Sequence, residues 1–302
     1  MTQERFAPRH LMPARRFAAE QRRHFAWAVA APTLATVSGP LWLPEDWLGW
    51  HWAGLALLMW WLVGCWGVTV GFHRLFSHRA FTASPVVRYV LGALGSMAAQ
   101  GSVTYWVALH RCHHTLSDTP GDPHSPARSA RPGSSAAAAF WAGHLFWTWR
   151  HDVPKPTRFA VELLADPVTQ ALTRQYRVWV GAGVLLPALL GWVWVGHWHG
   201  AVTGAWWGGA LRLALGHHII WAINSVCHTF GKRPNDTADS STNVAWLSLI
   251  SWGESWHNNH HAAPTSAQLG WSWKQPDVGW WCVATLQKLG LVTRVRIKAE
   301  DQ

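Results

Sequence analysis

Residues 178–211 read VWVGAGVLLPALLGWVWVGHWHGAVTGAWWGGAL, without one Asp, Glu, Lys or Arg. A membrane-crossing helix needs about 20 apolar residues. The run is therefore read as the end of one span and the start of another, turning near Gly196-His-Trp-His-Gly200. Charge is also missing from 24–44, 47–73 and 89–110, and again from Arg212 to Gly231. Only 13% of the 302 residues are charged, about half the share of an ordinary soluble protein. The mean hydropathy of zero hides this, because the 26 Trp and 19 His score as polar while Trp favours membrane interfaces.

Four spans follow, at 24–44, 50–72, 177–196 and 204–228. On that division the N-terminal arm carries 6 Lys and Arg, the segment 71–177 carries 11 and the tail after 228 carries 7, while the short loops at 45–49 and 197–203 carry none. Basic residues stay on the cytoplasmic side. The expected architecture is an all-α membrane protein of four transmembrane helices with a cytoplasmic helical cap. In chain order it comprises a basic cytoplasmic arm (1–23), two spans (24–72), the cap (73–176), two spans (177–228) and a cytoplasmic tail (229–302). No cleavable signal is read at the N-terminus, which holds Arg5, Arg9, Arg15 and Arg16 and lacks a small-residue cleavage site. The run 89–110 contains Gly92, Gly95, Ser96, Gln100, Gly101 and Ser102. It is expected to break, buried in protein or lying at the interface, rather than to span. Residues 115–139 read as a loop. The four Cys (65, 112, 227, 282) form no CxxC pair, which excludes a disulfide scaffold and a thiolate zinc site.

The histidines fall in boxes. His73-Arg-Leu-Phe-Ser-His78 follows the second span, His110-Arg-Cys-His113-His114 follows the uncharged run, and His257-Asn-Asn-His260-His261 lies in the tail. All three fall on the cytoplasmic side of a topology drawn from Lys and Arg alone. Positions i, i+3 and i+4 share a helix face, so each HxxHH box is expected to aim three imidazoles at one place. His73 and His78 lie about 140° apart on an ideal helix, and so are expected to bracket a helix end or to contact different metals. Eight histidines exceed the four ligands of a structural zinc site and fit two metals. A soluble diiron-carboxylate bundle would need two Glu-x-x-His motifs and further Glu. Only Glu254-Ser-Trp-His257 matches, among six Glu in all. Asn224 and His228, one turn apart at the end of the last span, emerge where the boxes converge.

These motifs together resemble the membrane fatty acyl desaturases of the Δ9 acyl-CoA/acyl-lipid type, in their short bacterial form. The resemblance rests on Gly71-Phe-His-Arg-Leu-Phe-Ser-His-Arg79, His110-Arg-Cys-His-His-Thr-Leu-Ser-Asp118, Gly121-Asp-Pro-His-Ser125, Asn224 to His228 and Gly253-Glu-Ser-Trp-His-Asn-Asn-His-His261. It covers about 50–282, with Ser255 where the family commonly has Gly. It implies a diiron centre held by His73, His78, His110, His113, His114, His228, His257, His260 and His261, with Asn224 reaching one iron through a water. It also implies O2 as co-substrate, a fatty acyl thioester or lipid as substrate, and two electrons from a separate donor protein (a ferredoxin, a cytochrome b5-like protein or a reductase chain). The place so implied is multi-pass in a bacterial inner membrane with both termini cytoplasmic; no nucleic-acid partner is expected.

Removing two hydrogens from unactivated carbons is beyond acid–base side chains, so the hard step belongs to metal and dioxygen. Histidine-box hydroxylases of alkanes, carotenoids or sterols are the alternative in the same chemical class. The HxxxxH spacing of the first box and the Gly-Asp-Pro-His-Ser stretch favour desaturation. A membrane metal transporter, the second alternative, would need ligands along a path through the bilayer, where only Arg212, His217 and His218 lie. His217 and His218 read as polar groups facing the bundle interior, and Arg212 as snorkelling to the outer interface. Arg74, Arg79, Arg111, Arg150, Lys155 and Arg158 are candidates for an acyl thioester's phosphates, with anionic head groups as the competing use.

Overall fold

The computed structural model describes residues 10–43, 47–119, 121–126 and 135–298. The expected loops at 45–49 and 115–139 lie partly outside these residues, as does the 1–9 portion of the basic arm. The chain is mostly helical. Among the described residues, two helices are long and apolar enough to cross a membrane, Trp50–Ser77 and Tyr176–Val195. The second leaves its apolar surface uncovered, with Leu185 68% and Val193 71% exposed. The chain is also helical from Ala18 to Ser38, with the turn Phe25–Ala30 wound as π-helix. It is helical again from Trp198 to Ser225, with Ala205–Leu211 in π form.

Glycines let these segments touch. A Cβ on Gly200 would lie 2.2 Å from the Gly191 carbonyl oxygen, and one on Gly204 2.2 Å from that of Pro187. Small residues bring apolar helices into such backbone contact, and this pair forms a hairpin through the αL residue Gly196 (φ 73°). Ala205–Leu211 then packs against Trp50–Trp60 and Ala31–Ser38. On the other side of Trp50–Ser77, Gly67 and Gly95 admit the helix Pro85–Ser96 to backbone contact.

The ambiguous run is broken, as its Gly and Ser content suggests. Helix Pro85–Ser96, N-capped by Ser84, ends before Ala99 (φ 55°) and Gly101 (φ 95°). Ser102 caps the next helix, Val103–Leu116. Arg212 does not snorkel outward. It is 3% exposed, and its guanidinium donates to the carbonyls of Met97, Gly183 and Gly208 at 2.6–3.0 Å. The freed Met97 carbonyl, at the end of a broken helix, carries partial negative charge, and with the Gly183 and Gly208 carbonyls it solvates the cation inside the bundle. His217, buried, faces the Ala98 carbonyl at 2.9 Å, and His218 Nδ1 faces His144 Nε2 at 2.9 Å.

The all-α expectation needs one correction: two short antiparallel ribbons, β1 (Leu11–Met12) with β3 (Val153–Pro154), and β2 (Thr82–Ala83) with β4 (Val292–Thr293). They tie the N-terminal arm to the central segment, and the tail to the stretch after His78. The main apolar core lies beneath the boxes, built on Phe72, Phe76, Val103, Val107, Phe159 and Val283.

Candidate metal centre

Four segments carry the imidazoles to one place. His73 lies in the last turn of the helix Trp50–Ser77, whose portion Trp61–Ser77 is π-wound. A π-turn bonds i to i+5, and the His78 N–H donates to the His73 carbonyl at 3.1 Å. That winding sets the two rings edge to face, their centroids 4.8 Å apart. His78 does stand just past the helix end. The ideal-helix spacing overstated the separation, and both side chains enter one cluster.

That cluster comprises His73, His78, His110, His114 and His260; a second comprises His113, His228, His257 and His261. Within each, potential ligand atoms lie within 4.8 Å of one another. The HxxHH boxes therefore do not each converge on one point. His110 and His114, i and i+4, face the first cluster, while His113, about 100° from His114, faces the second. In the third box His257 and His261 go to the second cluster and His260 to the first. Each box straddles both.

The ring nitrogens report what belongs between them. His73 Nδ1 lies 2.5 Å from Glu254, His113 Nδ1 3.0 Å from Asp122, His228 Nδ1 3.0 Å from Asp118 and His261 Nδ1 2.6 Å from Asp239. A carboxylate at Nδ1 puts the proton there and leaves Nε2 as a lone pair, the second-shell arrangement usual for metal-bound histidine. Nε2 atoms then meet head to head: His73 Nε2 is 3.0 Å from His260 Nε2, and His228 Nε2 is 3.1 Å from His257 Nε2. His114 Nε2 approaches His260 Nε2 at 2.9 Å, and His78 Nε2 approaches His110 Nε2 at 2.7 Å. His113 Nε2 and His261 Nε2 are buried without a partner among the described residues. Ring nitrogens gathered this closely, some of them lone pairs that no donor meets, are what a cation would bind, so the donor set fits a metal in each cluster.

Protonation agrees. Burial, and then neighbouring imidazoles, hold His78, His110, His114, His257 and His260 well below the usual histidine range. They are neutral ligands at physiological pH, as metal binding requires. Burial would raise the carboxyls of Asp118, Asp122 and Asp239, but their histidine partners outweigh it and hold all three below the carboxylate range. Sequence reading quoted Asp118, Asp122 and Glu254 within motifs without giving them a task, and it missed Asp239. An acid a few residues from a box was the available signal for the first three. Asp239 has none, because the tail's fold alone brings it to His261.

Other expected residues divide between support and surface. Arg74 is 1% exposed and bonded to Glu254, Asp277 and the Ala267 carbonyl. Arg111 donates to the carbonyls of Phe76, Ser77 and Phe159 and to Glu162. Both guanidiniums brace the fold from within, so the proposed phosphate role does not extend to them. Arg79 pairs with Glu162 at 2.5 Å, Lys155 is half-buried, and Arg150 and Arg158 are exposed. Ser255 is fully buried, its hydroxyl donating to the Val244 carbonyl. Asn224 lines a cavity whose wall also includes His73, His110 and His257. The apolar part of that wall comes from Trp60, Gly64, Val68 and Ile220.

A helical protein with a two-part histidine centre beside an apolar cavity defines a class that oxidises hydrocarbon with metal and dioxygen. The comparisons narrow it. The family model for fatty acid desaturases matches residues 47–275. The chain is 39% identical to a hex-5-enoyl-[acyl-carrier protein] acetylenase of Moorena producens, over 92% of this chain and 87% of that protein. It is 38% identical to an sn-1 stearoyl-lipid 9-desaturase of Anabaena variabilis, over 84% and 87%. It is also 36% identical to Delta-9 acyl-lipid desaturase 1 of Arabidopsis thaliana, over 80% and 74%. The chain belongs to the fatty acid desaturase family. It is an oxidoreductase that desaturates fatty acyl chains with O2, and hydroxylation and metal transport give way to that assignment.

Proposed function

We propose that the two clusters hold two iron ions and that the enzyme inserts a cis double bond at Δ9 of a long-chain acyl group, carried on CoA or in a lipid. The converging ring nitrogens, with the unpartnered Nε2 atoms of His113 and His261, carry the metal reading. His73, His78, His110, His114 and His260 would hold one ion, and His113, His228, His257 and His261 the other, with Asn224 orienting a water. When bound, the metals supply O2 activation. The chain's own residues do the rest. Four carboxylates fix the imidazole tautomers, and the apolar wall holds the acyl chain against the ligand rings and excludes water. Two C–H bonds are lost as O2, two electrons and two protons become two waters. The electrons come from a separate donor protein, a ferredoxin, a cytochrome b5-like protein or a reductase chain.

The same reading embeds the protein in the bilayer of a bacterial inner membrane through four spans, the two long helices and the helical runs from Ala18 and Trp198, with both termini cytoplasmic. Relatives named for 9-desaturation of stearoyl and acyl lipids support the Δ9 position. The test is product analysis after expression in a host with saturated acyl chains. A mono-unsaturated acyl chain two hydrogens lighter than its precursor is expected. A main product one oxygen heavier would replace desaturation by hydroxylation.

A further inference from the structure

The tail strand beyond β4 is wedged between the two stretches of chain that leave the five-histidine cluster. Ribbon β2–β4 pairs Thr82 with Thr293 and Ala83 with Val292. Past it the Arg296 N–H donates to the Ala80 carbonyl at 2.8 Å, just after His78. Opposite Phe81 the tail therefore carries two residues, Arg294 and Val295, a bulge with Arg294 in the left-handed region (φ 51°). The strand's other edge holds the chain that follows the third box. The Ala267 N–H donates to the Arg296 carbonyl at 2.7 Å, and the Lys298 N–H to Ser266 Oγ at 3.1 Å. His78 and His260, whose onward chains it joins, belong to the same cluster.

This strand is cationic. From Lys288 to Lys298 the chain holds Lys288, Arg294, Arg296 and Lys298 and no acid. Arg294, Arg296 and Lys298 are exposed, and none has a carboxylate partner among the described residues. Nearby Arg74 and Arg79 differ, being paired with Asp277 and Glu162. Ile297 stands 55% exposed between the cations, and Lys298 lies over the Trp271 ring at 3.8 Å. Free cations around an apolar side chain complement an acidic protein surface, which they steer and orient. The proposed reaction draws two electrons from a separate donor, and electron transfer weakens steeply with distance. A donor seated on Arg296 is one hydrogen bond and two residues of backbone from His78. Anionic head groups are the rival occupant, but the backbone partners of this strand belong to the segments that follow the boxes.

We propose that the tail strand 294–298 is the docking edge for an acidic one-electron carrier protein, with Arg294, Arg296 and Lys298 meeting its carboxylates. Each docked carrier is oxidised by one electron, so two dockings serve one double bond. The two electrons, two protons, O2 and the two hydrogens of the acyl chain leave as two waters. The proposal rests on the desaturase reading and deepens it, giving the donor a surface charge and a place.

The iron-loaded enzyme, in lipid nanodiscs with stearoyl-CoA and stearoyl lipid both present, is titrated with a plant-type [2Fe–2S] ferredoxin, an acidic one-electron carrier. Binding is read by calorimetry and turnover by unsaturated product. In the unaltered enzyme both should weaken as salt is raised. Arg294→Glu with Arg296→Glu should raise the ferredoxin Kd and KM about tenfold at similar kcat and flatten the salt dependence. Arg174→Glu, a reversal on the helix Pro167–Arg174, should leave both constants unchanged. Reduced methyl viologen, a small donor that needs no docking edge, should drive variant and unaltered enzyme alike, which shows that the variant is folded. Ferredoxin binding that is absent or insensitive to salt in the unaltered enzyme overturns the proposal without any variant having to fold. So does equal weakening by Arg174→Glu, or none by the reversal at 294 and 296. Arg296→Cys shielded from a membrane-impermeant thiol reagent by anionic nanodiscs would give the strand to head groups and overturn it too. No unsaturated product from either electron source, with salt-sensitive ferredoxin binding intact, sinks the desaturase reading alone.

Discussion

Asn224 and His228 are one turn apart at the end of a helix, yet their chemistry differs. His228 points Nε2 at His257 and anchors Nδ1 on Asp118, whereas Asn224 offers a neutral amide to the cavity wall. His228→Ala is therefore expected to lose both iron and turnover. Asn224→Ala should keep its iron and lose about 10–100-fold in activity, as outer-shell groups typically do. Iron content and turnover measured together decide it; two variants matching wild type would make the pair structural. The carboxylates carry a second expectation. Asp239→Asn leaves the shape of the His261 contact and removes the charge that fixes its proton. Metal affinity should fall by about 10–100-fold, read by competition with a chelator, while the thermal midpoint stays close to wild type. Unaltered affinity would reduce Asp239 to a surface acid that happens to lie near a histidine.

Elements do their work here through irregularity. The π-winding before His78 turns a spacing that separates side chains on an α-helix into one that brings them together. The break between Ser96 and Ser102 frees carbonyls that Arg212 and His217 then occupy. Between the apolar helices, Gly191, Gly200 and Gly204 allow the hairpin from Tyr176 to Gly204 to close in backbone contact. A Val at 200 would set its Cβ 2.2 Å from a carbonyl oxygen and force the pair apart. Gly200→Val should cost about 3 kcal/mol, read as a lower thermal midpoint in detergent. Because the hairpin is remote from the histidines, the fraction that folds should still bind iron. An unchanged midpoint would mean that the two helices do not approach so closely.

At the scale of the whole molecule, the clusters draw on side chains from four segments separated by long stretches of chain. They form only if the first-box helix, the central helices and the tail meet at one place. Single cysteines placed in an otherwise cysteine-free chain test that arrangement. A cysteine at 199 should react only with reagent outside the cell, and one at 235 only from the cytoplasm. Cytoplasmic labelling at 199 would remove the four-span topology. Metal analysis of the folded protein should return two ions per chain. One ion would leave either the four- or the five-histidine cluster without a task.

Charge-free runs and box spacing were legible without coordinates because both are properties of contiguous residues. Hydrocarbon excludes charge over the length of one helix, and ligands recur within one or two turns. On that basis the helical character, the broken run at 89–110, the two long helices and the histidines themselves could be read from the chain. Tertiary structure decided what depends on segments meeting. It divided each HxxHH box between two clusters, placed Asp239 on His261, turned Arg74 inward onto Glu254 and Asp277, and gave Arg212 three carbonyls in place of the interface. It also converted His73 and His78 from neighbours in sequence into partners in one cluster, since a π-turn is set by the packing around a helix and not by its period. The physical reason is common to all of these. A side chain's direction along its own helix is a local quantity, but its partner is whatever the fold carries to that spot. A buried charge or lone pair is tolerable only where such a partner arrives.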